Sequence, residues 1–498
     1  MIQYFFKKLG ASNSPFESVL QSGDTSLSLI DFLRHVDDLA LHLQGQEIKS
    51  VALYLDNCAD WIIADLACQI TELPVVPLPL FFSAEQVRHA VLSGGVDTII
   101  TDRRVHEILP SAAIGPSDNF FVDDTIEIRR LPPNGTALLP PGTQKVTFTS
   151  GTTGTPKGVC LSARQQLTLA SSLASVVRVD NPVHLCVLPL STLLENLAGV
   201  YAPLLSGGRV IAPPLAKVGL DGSSGLNVEQ LLACINQYQP NTLIVVPEML
   251  NALVLAADAG WQPPISLRFV AVGGGKTSPE LLRHAHSHGI PAYEGYGLSE
   301  CSSVVSLNVP DANRIGAVGR PLPHVDVSIV DGEIVVTDNA FLGYANQPDS
   351  WGKDLVHTGD IGHIDSDGYL YVDGRLKHQL ISSFGRNLSP EWVESELLTG
   401  QMLQQAVVIG DDRPYCVALV WPRDPSSSAS EIAAWINEVN IRLPDYARVK
   451  NWYRLPKVLL TSDGLLTENG RPKRVNIENQ YELAIASLYE SRQEVFNL

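Results

Sequence analysis

The sequence predicts an α/β fold. A large N-terminal domain of two α/β subdomains plus a small β-barrel-like unit precedes a small α+β C-terminal domain. Helix-like and strand-like segments alternate over the first ~145 residues and again over residues 184–292, which is typical of parallel sheets covered by helices. Short strand-like runs with frequent turns follow over residues 316–372, as in a small β unit. The chain of 498 residues also exceeds what one ordinary core accommodates.

Helical spacing and short apolar runs define the first α/β subdomain. Leu29, Phe32, Val36 and Leu39 recur at the helical period, which predicts a helix from Ser28 to Leu43. The other predicted elements are a buried strand at Ser50–Leu55, a helix at Asp60–Ile70 and short strands at Val75–Leu78 and Thr98–Ile100.

Apolar runs and turn residues also predict the elements of the second subdomain, the small β unit and the C-terminal region. Apolar runs at Leu243–Val246 and Phe269–Val272 predict strands of the second subdomain. After Gly374 a compact α/β pattern continues to the end of the chain, interrupted by a serine-rich stretch at Pro425–Ser428 that we expect to be an exposed loop. Strands of the small β unit are predicted at Val325–Val330, Glu333–Thr337 and Tyr369–Val372.

Composition and charge exclude several classes of protein. A hydrophobic content of 45% with 18% charged residues describes a globular enzyme. The formal charge of −18 argues against a nucleic-acid partner, because a phosphate backbone requires a basic face. No integral membrane segment is predicted, since no apolar run reaches the ~18 residues needed to span a bilayer. Seven scattered cysteines without a C-x-x-C pattern predict reduced thiols and a cytoplasmic location.

A loop rich in glycine and hydroxyl groups follows the strand-like run Lys145–Phe148 and precedes a helical stretch that opens near Ala163. Glycines permit close backbone approach to a ligand, and a glycine-rich loop that enters a helix offers free backbone N–H groups to phosphate. The alternative is an exposed linker, but the density of hydroxyls beside one lysine favours an anion site. The residues of this loop are Thr149, Ser150, Gly151, Thr152, Thr153, Gly154, Thr155, Pro156, Lys157 and Gly158.

These residues resemble the phosphate-binding loop of the adenylate-forming, acyl-activating superfamily, which includes acyl-CoA synthetases, nonribosomal-peptide adenylation domains and beetle luciferases. The resemblance covers nearly the whole chain. It implies binding of ATP and AMP with Mg²⁺, and a catalytic role for Lys157 at the phosphates. It also implies an adenylation domain over residues 1–374, a hinge at 375–377 that includes Lys377, and a mobile C-terminal domain over 378–498.

A second segment, Tyr293–Glu300, combines two glycines with an aromatic ring and a carboxylate. An aromatic ring can lie against a flat ligand, and a carboxylate is a hard oxygen ligand that suits Mg²⁺. The segment resembles the Y-G-x-[TS]-E motif of the superfamily. By that match Tyr296 stacks on adenine beside Gly297, Ser299 contacts phosphate, and Glu300 is a catalytic residue that holds Mg²⁺.

Two further stretches complete the predicted nucleotide site. Asp360 lies in the run His357–Asp360, and Arg375 follows it fifteen residues later. A carboxylate can accept hydrogen bonds from both ribose hydroxyls, and a guanidinium reaches hydroxyls or phosphate in fixed geometry. The resemblance makes Asp360 the ribose ligand and Arg375 its neighbour. It also places Gly274 and Gly275 in a turn beside adenine and the acyl pocket.

The C-terminal domain supplies the predicted thiol channel and a second cation. Gly385 matches the loop that lines the pantetheine tunnel in the superfamily. The superfamily has a catalytic lysine near its C-terminus, but here Arg471 occupies the matching position, with Lys473 two residues further on. An arginine keeps the charge but differs in shape from an ammonium, so either Arg471 or Lys473 could serve as the catalytic cation.

The run Leu188–Glu195 resembles the L-P-L-x-H-x-x-E segment of long-chain acyl-CoA synthetases, with Thr192 at the histidine position. The match at Glu195 favours a medium- or long-chain fatty acid as the carboxylic acid substrate. The resemblance implies formation of an acyl-adenylate and then transfer to the thiol of coenzyme A. Three alternatives stay open: loading the phosphopantetheine of an acyl or peptidyl carrier protein in trans, lactone formation from a β-hydroxy acid, and nucleotide binding with weak adenylation.

Overall fold

The computed structural model describes most of the chain. The described residues are 2–102, 113–114, 121–123, 125–132, 137–149, 156–222, 225–376, 380–381, 387–411, 413–467 and 470–490.

Several of the helices begin at a serine or asparagine that caps them. The predicted first helix runs Leu29–Gln44, and the Ser28 hydroxyl accepts a hydrogen bond from the Asp31 N–H at its start. The α-helices are α1 Ile2–Ser12, α2 Leu29–Gln44, α3 Ala59–Ile70, α4 Ala84–Ser93, α5 Ala163–Val177, α6 Ala202–Leu205, α7 Val228–Tyr238, α8 Pro247–Asp258, α9 Pro279–Ser287, α10 Pro390–Leu397, α11 Ala429–Arg442, α12 Arg474–Gln480 and α13 Glu482–Glu490. A π-helix covers Glu195–Tyr201, and short 3₁₀ helices cover Ser299–Cys301, Pro348–Ser350 and Asp445–Ala447.

The strands are short and numerous. Those before residue 300 are β1 Ser18–Ser22, β2 Thr25–Ser28, β3 Val51–Tyr54, β4 Val75–Pro77, β5 Thr98–Thr101, β6 Ala113–Ile114, β7 Glu127–Arg130, β8 Lys145–Thr149, β9 Lys157–Leu161, β10 Val183–Leu185, β11 Arg209–Ile211, β12 Leu220–Asp221, β13 Gly225–Leu226, β14 Thr242–Val245, β15 Phe269–Val272 and β16 Ala292–Tyr296. The later ones are β17 Ser306–Leu307, β18 Arg320–Pro321, β19 Asp326–Val330, β20 Glu333–Thr337, β21 Gly343–Tyr344, β22 Leu355–Ile364, β23 Leu370–Arg375, β24 Leu380–Ile381, β25 Asn387–Leu388, β26 Leu403–Ile409, β27 Cys416–Pro422 and β28 Val449–Arg454.

Two large sheets form the N-terminal region, as the alternating pattern predicts. One has the order β18-β17-β16-β15-β14-β10-β11-β1-β2, and the other β21-β9-β8-β4-β3-β5-β7-β6. Their central pairs are parallel, for example β14 with β15 and β3 with β4. The central strands β3, β4 and β14 are buried along their whole length, as expected of parallel strands covered on both faces.

The predicted small β unit is a four-stranded antiparallel sheet in the order β19-β20-β22-β23. Its last hairpin pairs Asp360 directly with Arg375. The fifteen-residue spacing in the sequence is thus the length of one hairpin, which brings the two charged side chains to adjacent positions.

The C-terminal region packs on cores of its own. One buried cluster gathers apolar side chains between Leu380 and Val449, and a second gathers those between Val407 and Ile485. The buried residues of both clusters come from beyond residue 376, whereas the other three clusters are built from earlier residues. The observed architecture confirms the α/β fold class with a smaller C-terminal part.

One local expectation is wrong. The loop after β8 was predicted to enter a helix, but residues Lys157–Leu161 form β9, which pairs antiparallel with β8. The helix does begin at Ala163, with Ser162 as its cap. The loop therefore connects two strands, and the argument from a helix N-terminus does not apply to its phosphate affinity.

Candidate active site

A cavity of about 910 Å³ lies between the N-terminal sheets and the C-terminal region. The segments that follow β14 and β15, together with the end of β16, line one side of it. Residues Gly470–Pro472 and side chains near β26 line another. Ligands of open parallel sheets commonly bind at the carboxyl ends of the strands, so this cavity is the candidate active site.

Asp360 anchors a cluster of three side chains that the sequence analysis singled out. The Tyr296 hydroxyl donates to Asp360 Oδ2 at 2.6 Å, and Arg375 Nε lies 2.8 Å from Oδ1. Burial raises the pKa of Asp360, while the charge of Arg375 and the hydrogen bond from Tyr296 oppose that rise. Because each carboxylate oxygen has two acceptor positions, Asp360 keeps capacity to accept a ligand hydroxyl.

Tyr344, which the sequence analysis did not identify, contacts both Glu300 and Lys157. The Tyr344 hydroxyl donates to Glu300 Oε1 at 2.8 Å, and Lys157 Nζ lies 4.9 Å from the centre of the Tyr344 ring. Burial and the nearby charge of Glu300 raise the pKa of Tyr344, so its hydroxyl stays a donor. No spacing in the sequence links residue 344 to residue 157; the pairing of β21 with β9 does.

The predicted glycines lie where the backbone needs them. Gly274 has φ +82°, a left-handed conformation, and an added Cβ there would lie 3.6 Å from Val246 Cγ1; at Gly275 it would lie 3.5 Å from Pro247 Cγ. At Gly297 an added Cβ would lie 1.7 Å from the Ser303 carbonyl oxygen, so only glycine fits there. Ser299 lines the cavity at the start of a 3₁₀ turn that ends at Cys301.

The two C-terminal cations differ in position. Arg471 lines the cavity and donates through Nη2 to the Gly274 carbonyl oxygen at 2.5 Å. Shielding from water by the surrounding protein lowers the pKa of Arg471, and the nearby positive charge of Arg375 lowers it further. The negative charge of Asp360 opposes this change. Lys473 is outside the lining of the cavity, and its backbone N–H bonds Leu465 O at the start of α12. Of the two, Arg471 has the position of an active-site cation.

Part of the predicted site lies outside the described residues. Thr149 is described and pairs with Lys157 across β8 and β9. The remaining predicted positions outside the described ranges are Ser150, Gly151, Thr152, Thr153, Gly154, Thr155, Lys377 and Gly385.

An apolar stretch of the lining extends the cavity beyond the nucleotide residues. Leu173 and Val177 from α5, Leu194 before the π-helix, and Phe269 from β15 contribute to it. Thr192 also lines the cavity. Such a wall suits an apolar acyl group.

A buried polar pair supports this wall. Glu195 Oε1 lies 2.9 Å from His184 Nε2, and the other ring nitrogen of His184 lies 2.9 Å from Thr242 Oγ1. Burial raises the pKa of Glu195, and the hydrogen bond from His184 counteracts it. Glu195 thus contacts protein groups within the wall, and sequence spacing did not predict its partner His184.

Comparisons with known proteins agree with this arrangement. Residues 10–340 match the AMP-binding enzyme family, and residues 377–493 match the AMP-binding enzyme C-terminal domain. A long-chain-fatty-acid–CoA ligase of Mycobacterium bovis is 25% identical over 88% of each chain. A 2-succinylbenzoate–CoA ligase of Enterococcus faecalis is 29% identical over 65% of this chain and 68% of that protein.

Solved structures share the fold at lower identity. An anthranilate CoA ligase in complex with anthranoyl-AMP superimposes with a TM-score of 0.80 at 17% identity, covering 97% of this chain and 98% of that one. The O-succinylbenzoate coenzyme A synthetase of Bacillus subtilis, in complex with ATP and magnesium, gives 0.74 at 22% identity over 95% and 99%. No helix among the described residues is long and apolar enough to cross a membrane. Because the match to the AMP-binding enzyme family spans residues 10–340, more than half of the chain, the chain belongs to that family.

Proposed function

We propose that this protein is an acyl-CoA synthetase. It activates a medium- or long-chain fatty acid with ATP through an acyl-adenylate and then transfers the acyl group to coenzyme A. One observation carries the proposal: a single cavity is lined both by Arg471 and Tyr296, whose hydroxyl is bonded to Asp360, and by an apolar wall. A nucleotide and an apolar acid can thus meet in one space.

In the first half-reaction an oxygen of the acid's carboxylate attacks the α-phosphorus of ATP, and pyrophosphate leaves with the electrons of the broken P–O bond. Asp360 accepts hydrogen bonds from the ribose, and the Tyr296 ring lies against adenine. Lys157 and Arg471 oppose the negative charge that develops on the phosphate oxygens.

The chemistry of Glu300 fits a magnesium ion. Its carboxylate is a hard oxygen ligand that Tyr344 holds in one orientation, and Mg²⁺ in such sites takes one or two carboxylates together with substrate phosphates. A Mg²⁺ ion held by Glu300 would supply positive charge beside the phosphate oxygens.

In the second half-reaction the thiol of coenzyme A attacks the acyl carbonyl carbon, and AMP leaves with the electrons of the broken C–O bond. We propose that residues 378–498 rotate about the hinge at 375–377 between the two steps, because two different attacking groups must reach one carbonyl. The loop containing Gly385 would then enter the site beside the pantetheine.

Relatives support the class of reaction more strongly than the acid. The relatives named above are ligases of coenzyme A for a long-chain fatty acid and for 2-succinylbenzoate. The apolar lining and the buried Glu195 support the fatty acid. Seven free cysteines support a reducing, cytoplasmic setting. A carrier protein as acceptor is the alternative; the net charge of −18 disfavours it, since carrier proteins of this kind are acidic.

Carboxylate-dependent ATP–pyrophosphate exchange tests the proposal. Fatty acids of several lengths, aryl acids and amino acids are compared without coenzyme A, and product formation is then followed with coenzyme A or a phosphopantetheinylated carrier. We expect exchange with fatty acids and thioester formation with free coenzyme A. Exchange only with aryl or amino acids would reject the substrate, and nucleotide binding without any exchange would reject the enzyme activity.

A further inference from the structure

Two histidines and one aspartate meet on the surface away from the cavity. His284 lies in the last turn of α9 and His288 directly follows that helix, so the two are four residues apart and lie on the same side. Asp258 is the last residue of α8. Its Oδ1 lies 3.0 Å from Nε2 of His284 and 2.7 Å from Nε2 of His288.

The three ligand atoms already have nearly the spacing of a metal site. With metal–ligand distances of about 2.0–2.1 Å and tetrahedral angles, neighbouring ligand atoms lie about 3.3 Å apart. The observed aspartate–histidine distances are slightly shorter, and all three ligand atoms lie within 4.8 Å of one another. A small outward movement of the side chains makes room for an ion.

The surroundings also favour a cation. Asp258 and His284 belong to the C-terminal turns of two neighbouring helices, where the carbonyl groups present partial negative charge. The side chains of His284, Asp258 and His288 are 41%, 35% and 28% exposed, so a metal ion can reach them from solvent and keep a water ligand. The two rings are tilted by 34° with their centres 5.0 Å apart, which lets both Nε2 atoms converge.

We propose that Asp258, His284 and His288 form a binding site for a transition-metal ion, with Zn²⁺ as the principal candidate. Two imidazoles and one carboxylate form a ligand set that zinc accepts. Mg²⁺ prefers all-oxygen ligands, so this site is chemically distinct from the one proposed at Glu300. Ion binding links the last turns of α8 and α9, whose first turns line the cavity through Pro247 and Leu281.

The test is Zn²⁺ binding to the full chain without an affinity tag, measured by calorimetry in the presence of millimolar Mg²⁺. The visible absorption of Co²⁺ in place of zinc reports nitrogen ligation. We expect one zinc site that excess Mg²⁺ does not displace. His284→Ala and His288→Ala should each weaken zinc binding at least ~10-fold, as loss of one of three protein ligands requires.

His363→Ala is the matched control, because His363 forms an exposed pair with Asp373 at 3.1 Å that no third ligand joins among the described residues. Its zinc affinity should equal that of the unchanged protein. Melting temperatures in metal-free buffer establish that each variant is folded. Absence of a zinc site in the unchanged protein would overturn the proposal, as would equal zinc affinity in the His284→Ala/His288→Ala double variant.

Discussion

Two carboxylates of the candidate site are each held by a tyrosine hydroxyl. Tyr296 donates to Asp360 and Tyr344 donates to Glu300. Burial raises the pKa of both tyrosines, so neither hydroxyl loses its proton near neutral pH. Each carboxylate therefore has one oxygen fixed in direction before a ligand arrives, which reduces the entropy lost on binding.

Replacing Tyr344 by phenylalanine isolates that effect at the proposed metal ligand. The ring that faces Lys157 remains, but Glu300 loses the hydrogen bond that orients it. We expect the Mg²⁺ concentration that gives half-maximal pyrophosphate exchange to rise about 10-fold, as for other residues that orient a metal ligand. Tyr371→Phe, at a tyrosine that contacts Asp365 instead, is the control. An unchanged Mg²⁺ requirement in Tyr344→Phe would contradict the role of this hydrogen bond.

Arg471 and Lys473 can be separated by the same assay. Arg471→Ala should reduce pyrophosphate exchange about 100-fold or more, the usual cost of removing a charge-stabilising donor. Lys473→Ala should stay within about threefold of the unchanged protein, because its side chain is not part of the cavity lining. A larger loss in Lys473→Ala than in Arg471→Ala would reverse the assignment.

Glu294 makes the stability of the protein depend on pH. Burial raises its pKa from 4.5 to about 7, against the opposing charge of Lys276 and a hydrogen bond from the Thr277 N–H. Since the folded state holds this proton more tightly, its stabilising contribution is complete below pH 4.5 and is lost as pH rises to about 7. The loss amounts to about 3 kcal/mol.

Glu294→Gln keeps an acceptor for Thr277 but cannot ionise. Urea midpoints at pH 5 and pH 8 should therefore fall less with rising pH in Glu294→Gln than in the unchanged protein. Glu280→Gln, at an exposed ion pair with Arg283, should leave that pH dependence as it is. Equal pH dependence in Glu294→Gln and the unchanged protein would show that Glu294 ionises in the folded state with an ordinary pKa.

At the residue scale, contacts between residues joined by one hairpin were predicted from the sequence. Contacts that depend on the pairing of strands far apart in the sequence were not. Asp360 and Arg375 were paired from one motif because a single hairpin joins them. Tyr344 was missed because its partners depend on the pairing of two strands far apart in sequence. The sequence could not show which of Arg471 and Lys473 lines the cavity, because that depends on the position at which α12 begins.

At the scale of elements, the π-helix Glu195–Tyr201 requires a glycine at position 199. An added Cβ at Gly199 would lie 2.6 Å from His184 Nε2 and 2.7 Å from Glu195 Oε1. Both atoms belong to a buried hydrogen-bonded pair that has little room to move. The absence of a side chain at Gly199 thus leaves room for the hydrogen bond between His184 of β10 and Glu195 of the π-helix.

Gly199→Ala should accordingly destabilise the protein by about 1–3 kcal/mol, the range for overpacking a buried site. Gly10→Ala is the matched comparison, since Gly10 lies in α1 with no atom within 4 Å of an added Cβ. That change should be neutral or stabilising, because alanine favours a helix. Thermal unfolding of the two variants tests the difference, and equal melting temperatures would mean that the pair moves aside at little cost.

Helices were predicted well where one buried face repeats apolar residues at the helical period. The helices at Leu29–Gln44 and Ala59–Ile70 agree with their predicted limits to one residue, because their apolar faces are continuous. The strand Lys157–Leu161 was missed, because the adjacent serine cap at 162 and the helical pattern after it dominated the local signal. The π-helix has no sequence signature that distinguishes it from an α-helix.

At the scale of the whole molecule, Asn251 supplies hydrogen bonds that join the N-terminal region to the C-terminal region. The Asn251 amide on α8 donates to Gly400 O at 3.2 Å, and its Oδ1 accepts from the Gly400 N–H at 3.2 Å. Arg471 adds its bond to Gly274. Since each region has separate buried clusters, these contacts can change without loss of either core.

Asn251→Ala should therefore affect the balance between the two half-reactions more than it affects stability. In the observed arrangement Arg471 lines the cavity, so this is the arrangement proposed for adenylation. Loss of the hydrogen bonds of Asn251 to Leu398 and Gly400 costs about 1–2 kcal/mol, which lowers the rate of pyrophosphate exchange about 5- to 30-fold if the arrangement becomes the minor one. Transfer of the acyl group from a preformed acyl-adenylate to coenzyme A requires the other arrangement and should be unchanged or faster. Asn236→Ala, which removes a contact with Trp261 inside the N-terminal region, should alter neither rate. An equal decrease of both half-reactions in Asn251→Ala would contradict the rotation, because a rigid molecule has no second arrangement to favour.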